Sequence, residues 1–190
     1  MPNLGVLISG RGSNMTSIHQ RIQSNELNAT IAVVISNKAS ATGLAYARDQ
    51  GIPVQVFEPS EFETNDDYES ALVACLVAHK VDLVVLAGYM KLVGDPMLTA
   101  FAGRMVNIHP SLLPSFKGLN AQQQALDYGV KVSGCTAHYV VKEMDAGPII
   151  MQAAVAVQDD DTVESLSDRI LFQEHQIYFL AIQIALTHLD

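Results

Sequence analysis

Two side chains that can stabilise negative charge, Asn107 and His109, lie in the segment MVNIHPSLLPSFKG, residues 105–118. They alternate with Val106 and Ile108, so both point to one face of a β-strand, and Pro110 opposes extension of that strand. An asparagine amide can donate a hydrogen bond to a developing oxyanion, and a histidine near neutral pH can donate a hydrogen bond or move a proton. The pair is suited to oxyanion chemistry at a strand end, although bonding to neighbouring backbone groups would use the same residue types.

A carboxylate that could act with this pair is Asp145, in the short acidic turn KEMDAGPII. Contact between Asp145 and His109 would favour the imidazolium form of the histidine. Aspartate is also common in turns for local reasons, so the spacing leaves open an ordinary turn residue.

The loop SGRGSN, residues 9–14, follows the first apolar run and has the composition of a phosphate-binding turn. Gly10 and Gly12 permit a tight turn, and the free N–H groups of the next helix can bind a phosphate beside the Ser13 hydroxyl. The dinucleotide fingerprint requires a third glycine where Met15 stands, so NAD fits poorly. A tight strand-to-helix turn without a ligand is the alternative.

Composition excludes several classes of function. The net charge of −9 over 190 residues argues against a nucleic-acid partner, while a local pocket for a small anion stays possible. No segment approaches the roughly 20 apolar residues that span a bilayer, and no basic leader opens the chain, so we expect a cytoplasmic protein without a membrane partner. The histidines lack ligand spacing, which predicts no metal, and Cys75 and Cys135 are expected to be reduced core residues.

The elements that must position these groups alternate along the chain. Four short apolar runs, rich in β-branched residues, are typical of parallel strands covered on both faces; they are LGVLIS, TIAVVIS, VDLVVLAG and RMVNIH. Helical spacing between them predicts crossover helices over residues 13–24, 41–50 and 65–79. The series predicts an α/β fold with a doubly wound, mostly parallel, Rossmann-like sheet and helices on both faces.

The pattern changes after Gly118. Two extended runs, residues 131–141 and 147–157, predict a strand pair added to the sheet. Residues 162–189 predict a closing helix with Thr162 as its N-cap. With no linker or repeat, we expect a single domain over residues 1–190.

Taken together, five segments resemble one known family. They are GRGSN, SNKASATGLAYARDQGIP, LVVLAGYMKLV, MVNIHPSLLPSFKG and GCTAHYVVKEMDAGPII. In this order, across nearly the whole chain, they are similar to the formyltransferases that use 10-formyltetrahydrofolate, and the glycine loop is similar to that of the phosphoribosylglycinamide formyltransferases. The resemblance implies a transferase of one-carbon metabolism in purine biosynthesis, with 10-formyltetrahydrofolate as co-substrate and no metal.

The resemblance also implies roles for individual residues. Asn107, His109 and Asp145 would be catalytic: the amine of glycinamide ribonucleotide attacks the formyl carbon, Asn107 and protonated His109 stabilise the oxyanion, and Asp145 orients His109. The other implied contacts are Gly12, Ser13 and Asn14 with the substrate phosphate, Glu174 with the substrate, and Met90, Lys91, Leu92, Val93, Asn107, Val141, Lys142, Glu143, Met144 and Asp145 with the folate.

The chain departs from the family pattern at four positions. Asn65 stands where some members have an arginine near the folate, and Lys91 replaces a frequent arginine. Ala121 and Gln122 take the places of a histidine and a threonine often found beside the substrate loop.

Three other functions share features of this pattern. A 10-formyltetrahydrofolate deformylase would use the same three catalytic residues with water as acceptor, but such enzymes carry an additional N-terminal regulatory domain, which we do not expect here. Methionyl-tRNA formyltransferases share HPSLLP but have a further C-terminal domain and a basic surface. A non-catalytic nucleotide sensor on the same fold would fit the altered residues at 121 and 122.

Overall fold

The protein is described by a computed structural model that covers residues 1–189 and leaves out only the last residue of the predicted domain, Asp190. The strands in this part are β1 (Asn3–Ile8), β2 (Thr30–Ser36), β3 (Val54–Val56), β4 (Leu83–Leu86), β5 (Met105–His109), β6 (Val132–Tyr139) and β7 (Ile149–Ala156). The helices are α1 (Ser13–Gln23), α2 (Gly43–Asp49), α3 (Asn65–Ala78), α4 (Asp95–Ala100), α5 (Ala121–Tyr128) and α6 (Val163–Leu186), with a 3₁₀ turn at Pro59–Glu61.

The strands form one sheet in the order β3-β2-β1-β4-β5-β6-β7. β1 to β5 are parallel, and β6 and β7 continue the sheet in antiparallel pairing. This arrangement confirms the predicted doubly wound, mostly parallel fold with an added strand pair. Strand order reverses between β1 and β4, and in such sheets the crevice outside the carboxyl ends of the strands at that point is where ligands bind.

Two apolar cores cover the two faces of the sheet, as the continuous apolar strands require. One core contains buried residues of α1, α2, α5 and α6, and the other contains buried residues of α3 and α4. Cys135 is buried and Cys75 is half-buried, and both are free thiols. The central strands are thereby fixed from both sides, which makes their carboxyl ends a rigid platform.

The closing helix α6 begins as predicted, with Thr162 as N-cap. The Thr162 hydroxyl accepts from the Ser165 N–H, and the Ser165 hydroxyl accepts from the Thr162 N–H, which completes a capping box. Farther along, the buried Tyr178 hydroxyl lies 2.8 Å from the carbonyl oxygen of Leu86 and 3.2 Å from that of Val106. This side chain attaches α6 to the ends of β4 and β5.

Three short elements were missed by the sequence patterns. β3 has three residues and α4 has six, too few to establish a period. The sequence patterns predicted no element at residues 121–128, which form α5 after Asn120 in the left-handed conformation. The helix predicted at 41–50 begins two residues later, at Gly43.

No helix within residues 1–189 combines the length and apolar character that crossing a membrane would need.

Candidate active site

The predicted site residues gather at the carboxyl edge of β1, β4 and β5, beside the reversal of strand order. The loop 9–14 follows β1, residues 87–94 follow β4, and residues 110–118 follow β5. Two backbone-directed bonds join the first two loops, because the Ser9 N–H donates to the Gly88 carbonyl and the Ser9 hydroxyl accepts from the Met90 N–H. The glycine loop 9–14 and the loop 87–94 are therefore hydrogen-bonded neighbours at this edge of the sheet.

Asn107 and His109 end β5 and lie on one face of the sheet, as their alternation requires. Met105, on the same face, packs in the core that contains α3 and α4, whereas Val106 and Ile108 pack in the opposite core. His109 is 6% exposed and Asn107 is partly exposed. The pair thus lies where the apolar cover of this face gives way to the cleft.

Asp145 reaches the pair from the turn between β6 and β7. Its backbone has φ 50°, a left-handed conformation uncommon for residues other than glycine. One carboxylate oxygen, Oδ2, accepts from the Gly118 N–H at 2.8 Å and lies 3.4 Å from His109 Nδ1. A strained residue held by such contacts is typical of a functional site.

The surroundings of the His109 ring fix its proton positions. Nε2 lies 2.9 Å from the Phe116 carbonyl oxygen, which can only accept, so Nε2 carries a proton. Nδ1 faces the Asp145 carboxylate at 3.4 Å. Both ring nitrogens therefore face oxygen atoms that can accept hydrogen bonds.

A second buried histidine, His138, was missed by the sequence analysis. It lies on β6 opposite Asn107, 3% exposed, with Nε2 3.2 Å from Asn107 Nδ2. Burial lowers the pKa of His138; the hydrogen bond to the Tyr139 carbonyl and the Asp145 charge raise it, and the His109 charge lowers it. Only the antiparallel register of β5 and β6 brings His138 here, and a local pattern does not reveal that register.

The loop that follows β5 is held by the buried Thr136 of β6 and by Gln152 of β7. The Thr136 hydroxyl donates to the Ser111 carbonyl at 2.7 Å and accepts from the Leu113 N–H at 3.0 Å. The Gln152 amide donates to the Leu113 carbonyl and to the Thr136 hydroxyl. These bonds fix the start of the loop relative to the added strand pair.

The glycine loop has the conformation that its composition predicts. Gly12 precedes α1 with φ 69°, and no side chain caps the helix, so its first N–H groups face the crevice. Ser13 and Asn14 form the first turn of α1. A Cβ at residue 12 would meet Gly43 Cα at 3.2 Å, so the loop passes close to α2.

Glu174 of α6 joins the glycine loop rather than solvent. It is 7% exposed and accepts a 2.7 Å hydrogen bond from Asn14 Nδ2. Burial raises the pKa of Glu174 and the bond from Asn14 partly opposes that rise. Asn14 Oδ1 is buried and has no hydrogen-bond partner, so one acceptor at this place is left for a donor from outside the chain.

The residues implied in folate binding lie in two neighbouring segments. Met90 and Leu92 are 63% and 69% exposed, and Val141 and Met144 are 39% and 47% exposed. An ion pair of 2.9 Å between Lys142 and Asp95 connects the second segment to the end of the first. Glu143 bonds to Lys117, Lys91 Nζ lies 5.2 Å from the Tyr68 ring centroid, and Val93 packs at the edge of the core.

The four departures from the family pattern lie outside the Asn107–His109–Asp145 cluster. Asn65 donates to Glu69, a buried carboxylate that also accepts from the Gly94 N–H at 2.6 Å. Ala121 is buried and Gln122 half-buried at the start of α5. Lys91 thus lies within the folate segment 90–93 and Asn65 lies beside it through Glu69, whereas Ala121 and Gln122 lie beyond the loop 110–118.

Within residues 1–189 there is no group of three histidine, cysteine or acidic side chains close enough together to hold a metal ion.

Comparison with known proteins places these features in a family. The pattern of the family described as formyl transferase matches residues 3–182. The phosphoribosylglycinamide formyltransferase of Bacillus subtilis is 42% identical over 94% of this chain and 91% of its own length. The crystal structure of glycinamide ribonucleotide transformylase 1 from Symbiobacterium toebii superposes with a TM-score of 0.96 at 51% identity, over 97% of this chain and 88% of that one.

A larger human relative contains the same unit. The human trifunctional purine biosynthetic protein adenosine-3 is 44% identical over 95% of this chain, which spans only 18% of that protein. The similarity therefore concerns one part of that protein and does not extend to its other parts. By the family pattern, the full-length bacterial relative and the fold, this chain belongs to the formyl transferase family, among the phosphoribosylglycinamide formyltransferases.

Proposed function

We propose that this protein transfers the formyl group of 10-formyltetrahydrofolate to the amine of 5′-phosphoribosylglycinamide, a step of de novo purine biosynthesis. The observation that carries the proposal is the cluster of Asn107, the buried His109 and Asp145 at the end of β5. The cluster offers hydrogen-bond donors to a developing oxyanion and a carboxylate that sustains the histidine charge. The membership of this chain in the formyl transferase family accords with this chemistry.

The acceptor substrate binds along the edge of β1 in this proposal. The free N–H groups at the start of α1 and the Ser13 hydroxyl hold its phosphate, as helix N-termini do. Asn14 and Glu174 are buried beneath this phosphate site. The unpartnered Asn14 Oδ1 and the Glu174 carboxylate can accept hydrogen bonds from the ribose or the glycinamide. Local backbone donors thereby bind an anion despite the net charge of −9.

The folate binds between residues 90–93 and 141–145. The exposed side chains of Met90, Leu92, Val141 and Met144 supply apolar contact for a flat ring. An exposed ion pair between Lys142 and Asp95 joins the two segments at the surface. The formyl group then lies next to Asn107 and His109.

The reaction proceeds by direct attack. The amine nitrogen forms a bond to the formyl carbon, and the electron pair of the carbonyl moves to its oxygen, which receives hydrogen bonds from Asn107 and from His109 Nε2. In the free protein Nε2 donates to the Phe116 carbonyl, so the oxyanion takes the place of that oxygen. The intermediate collapses with cleavage of the bond between carbon and folate N10, and water carries the amine proton to N10.

The remaining expectations follow from the same proposal. The partners are small molecules, and no nucleic acid is bound, since the chain is acidic. The compartment is cytoplasmic. No step requires a metal ion.

A deformylase is the second candidate, because the same three residues could direct water to the formyl carbon. The discriminating experiment incubates purified protein with 10-formyltetrahydrofolate, with and without glycinamide ribonucleotide, and follows tetrahydrofolate, formate and the formylated product. We expect tetrahydrofolate to appear only with the ribonucleotide and in equal amount with the formylated product. Formate release without acceptor would establish the hydrolase, and no turnover with bound ligands would favour the nucleotide sensor.

A further inference from the structure

His138 lies within hydrogen-bond distance of the amide of Asn107, and the proposed roles of His109, Asp145 and the substrate contacts do not involve it. Its Nε2 lies 3.2 Å from Asn107 Nδ2, and its side chain is 3% exposed. The two residues are paired across the β5–β6 register, so their separation is fixed by the sheet. A buried contact of this kind determines how the asparagine amide can be oriented.

The bonding of the ring identifies its tautomer. Nδ1 lies 2.8 Å from the Tyr139 carbonyl oxygen, an obligatory acceptor, so Nδ1 carries the proton. Nε2 faces the amide nitrogen of Asn107, an obligatory donor, and is therefore bare in the neutral ring. The Asn107 amide has two N–H bonds, and this contact uses only one of them.

Protonation of His138 would reverse this contact. A proton on Nε2 would face the N–H donor of Asn107. A hydrogen bond between the two side chains could then form only if the Asn107 amide rotated by about 180°, which would move both of its N–H bonds. The charged groups facing the ring are Asp145, whose Oδ1 lies 3.7 Å from Nε2, and His109. Burial keeps the pKa of His138 low even though the Tyr139 carbonyl and Asp145 act to raise it.

We propose that His138 is a positioning residue for formyl transfer: its bare Nε2 holds one N–H of Asn107, so that the other N–H points at the formyl oxygen. This inference rests on the proposed function. Asp145 then faces both histidines, with Oδ2 3.4 Å from His109 Nδ1 and Oδ1 3.7 Å from His138 Nε2.

Two single substitutions separate positioning from a structural role. His138→Gln can place an amide oxygen where Nε2 stands and so keeps an acceptor for Asn107, but it loses the donor to Tyr139. His138→Asn keeps a donor near the Tyr139 carbonyl and loses the acceptor for Asn107. We expect kcat to fall by about 10-fold or more in His138→Asn and by less than about 3-fold in His138→Gln, with KM for both substrates changed by less than about 3-fold.

Nitrogen NMR of the wild-type protein tests the inference without any variant. At pH 7.5 we expect the His138 ring to be neutral, with its proton on Nδ1. A proton on Nε2, equal kcat values for the two variants, or a lower kcat for His138→Gln would overturn the inference. An active wild type with equal variants contradicts only the role of His138, whereas a wild type that binds both substrates but transfers no formyl group contradicts the proposed function.

Discussion

Replacing Asp145 by asparagine removes a negative charge from the centre of the proposed site and changes little else. Asparagine tolerates the left-handed backbone at this position, where φ is 50°, and its amide oxygen can still accept from the Gly118 N–H. Asp145→Asn therefore isolates the effect of the charge on His109. Asp145→Ala would add backbone strain and lose the bond to Gly118.

The structure sets the size of the expected effect. The side chains of His109 and Asp145 are 7% and 10% exposed, and Nδ1 and Oδ2 are 3.4 Å apart. Two unit charges at that distance attract by about 5 kcal/mol at an effective dielectric constant of about 20, which is a ceiling because desolvation opposes the pair. We expect to lose about 3 to 4 kcal/mol of transition-state stabilisation, a fall in kcat of about 100- to 1,000-fold.

Steady-state kinetics of formyl transfer measures this fall. Asp159→Asn is a matched control, because its carboxylate is 91% exposed and pairs with Lys131 at the surface. The control should keep turnover within about 2-fold of the wild type, since exposed pairs contribute little. If Asp145→Asn also stayed within about 3-fold, the electrostatic role given to Asp145 would be wrong.

Three further substitutions test other parts of the site. Burial raises the pKa of Glu174, so the folded state loses stability as pH rises from about 4.5 through that raised pKa. Glu174→Gln should therefore be more stable than the wild type in urea at pH 8 but not at pH 4.5. The gain in the free energy of unfolding should be about 1.4 kcal/mol for each pH unit by which the pKa of Glu174 is raised. Ser13→Ala should lower the affinity for the ribonucleotide by about 10- to 150-fold in calorimetry, because a hydrogen bond to a charged acceptor contributes about 1.5 to 3 kcal/mol. The affinity for folate should not change. A Cβ at Gly147 would overlap the Tyr139 carbonyl oxygen, so Gly147→Ala should displace the turn that carries Asp145, lowering kcat by about 10-fold or more and the free energy of unfolding by about 1 to 3 kcal/mol.

The fold could be predicted because its strands are buried on both faces. β1 is buried from its second residue onward and β4 throughout, so continuous apolar runs indicated parallel strands between helices. Thr162 marked the start of α6 through local capping chemistry. β3 and α4 were missed because they are too short for a period, and their positions depend on neighbouring elements.

The candidate site could be predicted only in part, for a related reason. Alternation along one strand showed that Asn107 and His109 share a face, which is a local property. The contact of Asp145 with His109 spans 36 residues and depends on how the turn after β6 folds back, so spacing left it open. His138 was missed because its approach to Asn107 depends on the register between β5 and β6, which the pattern of a single strand does not contain.

The most direct test of the account is the single-turnover rate of formyl transfer in Asn107→Ala and His109→Ala, with both substrates saturating. If both side chains donate to the oxyanion, each variant should lose about 100- to 1,000-fold in this rate, as in the removal of a single oxyanion donor elsewhere. Circular dichroism of both variants should match the wild type, and folate calorimetry of His109→Ala should match it too, because His109 is not among the folate contacts and its loss acts in the transition state. Transfer at near wild-type rate by either folded variant would contradict the role of that residue in the chemistry.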